Sequence, residues 1–185
     1  MRDYVELTYR DHPHTDYPMH LAEYLCNRFH VIPGSKVLDY GCGRGDFVDG
    51  FMRAGMHAYG YEPNSDYCRK IWPSIENRFS IMLEDRDYHM IFSKSVFEHL
   101  REPITVAYDM FFRLNSNCPC IAMVPDYREC GDSFWDDVTH VHPFTEKSLK
   151  QLLEWAGFDS VGCETFDIPW TEPEYSMLLA WGYKP

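Results

Sequence analysis

Residues 37–46 read Val-Leu-Asp-Tyr-Gly-Cys-Gly-Arg-Gly-Asp. An apolar run ends in the acidic Asp39, and Gly41, Gly43 and Gly45 follow at alternate positions. Glycines let a backbone turn sharply and approach a ligand closely. The helix expected beyond them offers N–H groups that have no partner inside the helix. The spacing is neither the G-x-G-x-x-G of dinucleotide binding nor the G-x-x-x-x-G-K-[ST] of a phosphate-cradling loop. Asp39 beside the loop repels phosphate and favours a cation, such as an amino group. A second run, Ala58-Tyr59-Gly60-Tyr61-Glu62-Pro63, ends in a carboxylate. At roughly 20 residues beyond a glycine loop, such a carboxylate can accept two hydrogen bonds from ribose hydroxyls. A third stretch, Phe134 to Thr145, mixes aromatics with Asp136, Asp137, His140 and His142. A carboxylate beside an imidazole raises its basicity and fixes its tautomer.

Short apolar runs and helical patterns alternate around these motifs. Val37-Leu38, Ala58–Tyr61, Ile81–Leu83, Met90–Phe92 and Ile121–Val124 read as buried strands. Helical spacing covers 17–30, 46–54, 64–72 and 104–113, with Pro103 suited to the start of the last and Pro73 stopping the third. Strands alternating with helices imply a parallel sheet covered on both faces. A further helix runs from Thr145 to about Ala156 and ends at Gly157. Two extended runs, 160–167 and 175–182, follow with no helix between them, so they can pair as a hairpin. The count is seven strands with an antiparallel element at the end.

The chain has 185 residues, enough for one domain spanning 1–185. Lys and Arg number 17 against 29 Asp and Glu, a net charge of −12. So acidic a surface repels phosphate backbones and anionic lipid, which argues against nucleic acid and membrane partners. No apolar run approaches the ~20 residues of a bilayer span. The polar, proline-broken N-terminus does not resemble a secretory leader. Seven scattered cysteines suit reduced thiols in a cytoplasmic protein better than a disulfide framework.

Taken together, these motifs resemble a class I S-adenosylmethionine-dependent methyltransferase. V-L-D-Y-G-C-G-R-G-D is similar to the first motif of that superfamily and Y-G-Y-E-P-N to the second. Ser93 to Leu100 resembles the family's fourth-strand segment, in which Glu98-His99-Leu100 opens the following helix, and Ile121 to Asp126 the fifth strand. His142-Pro143-Phe144-Thr145, Ser148-Leu149 and Ala156-Gly157-Phe158 resemble the late segment. The resemblance implies an α/β, Rossmann-like sheet of seven strands in the order 3-2-1-4-5-7-6, strand 7 antiparallel. It implies S-adenosylmethionine as methyl donor and S-adenosylhomocysteine as product. Asp39 and the loop Gly41, Cys42, Gly43 and Gly45 would hold the methionine part, and Glu62 with Pro63 the ribose. Glu84 and Asp85 are candidates for the adenine amino group, and Ser93 would line the methionine and substrate side. Residues 1–17 would fold over the site as a lid.

Methylating a hydroxyl calls for a base or a metal near the methyl group. His140 is the expected base, His142 the alternative, and Asp136 or Asp137 the orienting partner. His99 reads as a packing residue at a helix start. Asp126, Asp136 and Asp137 could hold Mg²⁺, but loop aspartates are more often solvated, so no residue is assigned to a metal. The D-D-x-T-H-x-x-P-F-T run resembles one in methyltransferases of surface-glycan and polysaccharide pathways, which implies a sugar hydroxyl as acceptor. The alternatives are another small-molecule O- or N-methyltransferase, or a cofactor-binding module of a larger glycan-synthesis protein.

Overall fold

Why the strands are so apolar is evident from their burial. The computed structural model describes residues 3–83, 86–171 and 175–185. Strands covered on both faces need apolar side chains throughout, not alternation. In β1 (Lys36–Tyr40) every residue after the first is buried, and in β5 (Pro119–Pro125) every residue but the last. The chain divides into two compact units, Met1–Asp85 and Arg86–Pro185.

In the first unit, α1 (Tyr4–Tyr9) and α2 (Tyr17–Arg28) precede β1. Next come α3 (Asp46–Arg53), β2 (His57–Tyr61), α4 (Tyr67–Ile71) and β3 (Phe79–Ser80). β1 pairs with β2 and β2 with β3, both in parallel. The third strand is therefore Phe79–Ser80 and not Ile81–Leu83. Ile81 and Met82 are 47% and 65% exposed, whereas Phe79 is buried against Gly45 and Gly60. An aromatic with a pocket to fill outcompetes an apolar triplet that has none.

α2 and α3 pack closely because Gly50 has no side chain. A β-carbon there would stand 2.7 Å from the Pro18 carbonyl carbon and oxygen and 2.9 Å from the Met19 nitrogen. Backbone atoms cannot swing away as a side-chain tip can. Gly50→Ala should therefore destabilise the fold by about 2 kcal/mol or more despite alanine's better helix propensity. Chemical denaturation of the variant measures this, and unchanged stability would mean that the two helices separate freely.

The second unit holds β4 (Met90–Lys94), α5 (Pro103–Arg113), β5, α6 (Tyr127–Cys130), α7 (Glu146–Trp155), β6 (Asp159–Ile168) and β7 (Tyr175–Tyr183). β4 and β5 are parallel, while β7 runs antiparallel to both β5 and β6. α7 starts with a capping box: Thr145 and Ser148 each satisfy the other's backbone N–H. The seven strands follow the order β3-β2-β1-β4-β5-β7-β6. The predicted strand order, the antiparallel strand 7 and the terminal hairpin are all present. No helix among the described residues is long and apolar enough to cross a membrane.

Candidate functional site

Two clusters of chemistry-bearing residues stand out, one in each unit. The first follows the carboxyl ends of β1 and β2, the edge where open α/β sheets bind ligands. The Gly41 and Cys42 N–H groups donate to the Tyr61 carbonyl at 2.8 and 3.0 Å, which ties the glycine loop to β2. Gly43 and Gly45 have φ of +51° and +92°, a left-handed region that side chains resist. At Gly45 a β-carbon would also strike the Phe79 ring at 2.7 Å.

Glu62 faces this loop. Its carboxylate accepts the Gly43 N–H at 3.2 Å and the Asn64 N–H at 3.1 Å. Burial outweighs these bonds and raises its pKa above the ordinary value. Asp39 is also buried, at 2% exposure, as the penultimate residue of β1 before the loop. Pro63, next to Glu62, is exposed. The Cys42 and Cys68 thiols share a hydrogen bond that, with burial, pushes Cys42 well up, while the same bond holds Cys68 below its ordinary value. Glu84 and Asp85 lie outside the described residues.

The N-terminal stretch clasps the same loop. The Arg44 guanidinium donates to the carbonyls of Tyr9 at 3.1 Å, His12 at 2.6 Å and Pro13 at 3.3 Å. Asp46 holds that guanidinium from the other side at 2.7 Å. The Tyr9 ring lies 3.3 Å from where a Gly43 β-carbon would stand. Burial pushes the Tyr9 phenol up to about 12, so it stays protonated. Asp3 caps α1 and accepts the Ser65 hydroxyl at 2.6 Å.

The second cluster lies in the unit Arg86–Pro185. A short 3-10 turn, Phe97–His99, follows β4 and carries Glu98 and His99. His140 comes from the loop after β5 and α6. Its Nδ1 sits 2.7 Å from the Phe134 carbonyl. A carbonyl only accepts, so Nδ1 carries a proton, and in the neutral ring Nε2 has the lone pair. The His99 ring is 4.8 Å from that of His140. His99 Nδ1 is 2.9 Å from the Thr139 hydroxyl, which donates in turn to Asp137 at 2.6 Å. With the Thr139 proton on Asp137, the tautomer of His99 that fits donates from Nδ1. Its Nε2 is left as an acceptor as well. Burial first, and His140 second, lower the His99 pKa, so it is held neutral.

Glu98 is completely buried, and neither carboxylate oxygen has a well-formed hydrogen bond among the described residues, although the Ser95 hydroxyl and the Glu98 backbone N–H lie near enough to favour the charged form. Burial pushes its pKa up to about 7. The backbone N–H groups of Val141 and His142 donate to the Glu98 carbonyl at 2.9 and 3.0 Å, stitching the two segments together.

The expected site residues therefore separate. His140 and Asp137 come together, with His140 Nε2 3.9 Å from an Asp137 oxygen. Asp136 is exposed, so Asp137 is the carboxylate beside the imidazole. His142 stacks on the buried Phe144 at 4.7 Å, the packing role that aromatic contact explains. Asp126 caps α6 through the Arg128 N–H at 2.9 Å and accepts from Thr165, so the three aspartates do not form one ligand set. Ser93 on β4 is fully buried, with no partner for its hydroxyl among the described residues. His99 does more than pack a helix start, because it belongs to the His140 cluster. Glu98 and His99 had a signal in the Glu-His-Leu run, but nothing local showed that a segment about 40 residues later would meet it.

Residues 17–161 match the family model described as a methyltransferase domain. A comparison with curated proteins finds no match. Solved structures are similar at the level of the fold. One is a chain of the complex between the Haloferax volcanii Trm112 methyltransferase activator and a proposed methyltransferase. It is 15% identical with a TM-score of 0.74, covering 100% of this chain and 99% of that one. Another is the 1,6-didemethyltoxoflavin-N1-methyltransferase of Burkholderia thailandensis, solved with S-adenosylhomocysteine. It is 16% identical with a TM-score of 0.71, covering 96% of this chain and 83% of that one. A third is a SAM-dependent methyltransferase from Archaeoglobus fulgidus, 22% identical with a TM-score of 0.64, covering 87% and 76%. With the family model spanning the glycine loop, Glu62 and the His140 cluster, the chain belongs to the methyltransferase-domain family and is an S-adenosylmethionine-dependent methyltransferase.

Proposed function

We propose that the chain methylates a hydroxyl oxygen, and that the acceptor is a sugar hydroxyl of a saccharide or glycan. The observation that carries this is His140, an imidazole with Nδ1 held by the Phe134 carbonyl and Nε2 3.9 Å from an Asp137 oxygen, in one cluster with the buried Glu98. When bound, S-adenosylmethionine supplies a methyl group already activated on a sulfonium, so the chain need not provide an electrophile. Its residues must hold that donor, orient the acceptor and take the hydroxyl proton.

The glycine loop fits the donor. Asp39 would hold the amino group and Gly41, Cys42, Gly43 and Gly45 the methionine backbone. Glu62, braced by the Gly43 and Asn64 N–H groups, would accept both ribose hydroxyls, flanked by Pro63. Ser93 would line the methionine and substrate side, and Glu84 and Asp85 remain the adenine candidates. We further propose one catalytic domain, with residues 1–17 acting as a lid through the Arg44 clasp.

On the acceptor side His140 Nε2 takes the hydroxyl proton. Asp137 stabilises the resulting imidazolium from 3.9 Å. The half-exposed Trp135, edge-on to Phe134 at 4.9 Å, offers a face on which a sugar ring can stack. The D-D-x-T-H-x-x-P-F-T run supports the glycan assignment by resemblance, and the charge of −12 suits a neutral acceptor over a polyanion.

The test is methyl transfer from labelled S-adenosylmethionine to a panel of saccharides, polyols, phenols and amines. Transfer to a saccharide is expected, with His140→Ala slower by about 10²–10⁴-fold. His142→Ala should stay within a few-fold of wild type. Transfer to amines alone would remove the hydroxyl assignment, and full activity in His140→Ala would remove the base.

A further inference from the structure

Among the described residues, Glu98 is a fully buried carboxylate with no well-formed hydrogen bond to either oxygen. An ionised carboxylate buried without hydrogen bonds costs several kcal/mol, so proteins pair such groups or give them to a metal. Lys94 and Asp137 are the charged groups nearest in effect, and they act in opposite directions. Two imidazoles lie close to the Glu98 carboxylate. One Glu98 oxygen, one His99 nitrogen and one His140 nitrogen all lie within 4.8 Å of one another.

We propose that Glu98, His99 and His140 bind a divalent transition-metal ion, such as Zn²⁺, Co²⁺ or Mn²⁺, through the carboxylate and the two Nε2 atoms. Three features of the site argue for it. Both imidazoles have Nδ1 engaged as a donor, His99 to Thr139 and His140 to the Phe134 carbonyl, so both present Nε2 with its lone pair. Metal-binding histidines are oriented in the same way by an outer partner on the other nitrogen. Behind His99 the relay ends on a carboxylate, Asp137, through Thr139. Third, the donor set is two imidazoles and one carboxylate, which suits these ions better than Mg²⁺, an ion that prefers oxygen ligands.

The geometry asks for a small adjustment. A tetrahedral centre at ~2.1 Å from each ligand needs them ~3.4 Å apart. Closing from the present limit of 4.8 Å takes side-chain rotations in which Glu98 gives up its contacts to the Ser95 hydroxyl and its own backbone N–H.

Three protein ligands leave at least one position open. A hydroxyl bound there loses its proton to water more readily, because the ion stabilises the alkoxide. This part rests on the proposed hydroxyl-methylating function and deepens it: with the ion bound, His140 Nε2 is its ligand and the ion would acidify the hydroxyl, while in the metal-free chain His140 takes the proton itself. Metal binding does not depend on that function.

The probe is Co²⁺, added to the full chain after chelator treatment and followed by its visible d–d absorption. Wild type should bind one equivalent with the strong bands of a four- or five-coordinate site, displaced by Zn²⁺. His140→Ala and Glu98→Gln should each weaken binding by at least ~100-fold. Asp136→Ala, outside the cluster, should leave the spectrum unchanged. Circular dichroism confirms that each variant is folded, and Glu98→Gln, close to isosteric, serves if His140→Ala is not. A wild-type protein without saturable Co²⁺ bands overturns the proposal. So do bands that survive both cluster variants. Failure of the acceptor panel alone would leave the Co²⁺ spectrum as expected, so the two conclusions fail separately.

Discussion

Glu62→Ala lowers the affinity for S-adenosylmethionine by about 10²–10³-fold. A hydrogen bond to a charged acceptor contributes about 1.5–3 kcal/mol, and the Glu62 carboxylate is placed to accept from both ribose hydroxyls. Losing the pair costs about 3–4 kcal/mol, and each ~1.4 kcal/mol is tenfold. The carboxylate also holds the loop, since it accepts the Gly43 N–H at 3.2 Å and the Asn64 N–H at 3.1 Å. Alanine leaves both donors empty and loosens the loop that the ligand needs. Calorimetric titration with S-adenosylmethionine and S-adenosylhomocysteine reads the effect directly. Both ligands should weaken together, because they share the ribose. Wild-type affinity in the variant would move the ribose away from β2 altogether.

The second large effect is one of stability. With chelator present, wild type should lose about 3 kcal/mol of stability as pH rises from Glu98's ordinary 4.5 to about 7, and Glu98→Gln should not. The sign follows from proton counting. In that window the folded chain keeps the Glu98 proton while the unfolded chain releases it. The folded state binds more protons, so stability is highest below the window and falls as pH rises through it. Above about 7 the loss is complete and the curves run parallel. Burial is the dominant cause; the Glu98 backbone N–H, Lys94 and the Ser95 hydroxyl oppose it, Asp137 adds to it, and His99 and His140 are the other titratable groups of the cluster. Urea denaturation of both proteins across this range isolates the group, because every other titration is common to both. Parallel curves throughout would place Glu98 in contact with water. The proteins would thus trade places: a residue that weakens the metal-free fold at neutral pH is the one that holds the ion in the loaded form.

How much of this was legible in the sequence differs by element. Gly41, Gly43 and Gly45 follow an apolar strand within ten residues, and the conformations they permit are a local matter. Glu62 was legible too, because β1 and β2 are joined by a single helix and their parallel pairing sets Gly60 against Asp39. The strand order and the terminal hairpin followed from the alternation of periods and from the resemblance. The third strand was misplaced by two residues, since apolar content alone does not distinguish Ile81 at a sheet edge from Phe79, which fills the space under Gly45 and Gly60. Among the late carboxylates and histidines, residue types indicated proton or metal chemistry. They did not indicate that Asp126 caps a helix, that His142 stacks on Phe144, or that Asp136 points to solvent. Least legible of all was Glu98 with His99. In the chain they stand about 40 residues from His140, and only the return of the loop after β5 onto the turn after β4 brings the three together. Local backbone chemistry is written in neighbouring residues. Which side chain loses its water, and beside what, depends on packing between segments far apart, and that the tertiary structure alone decided.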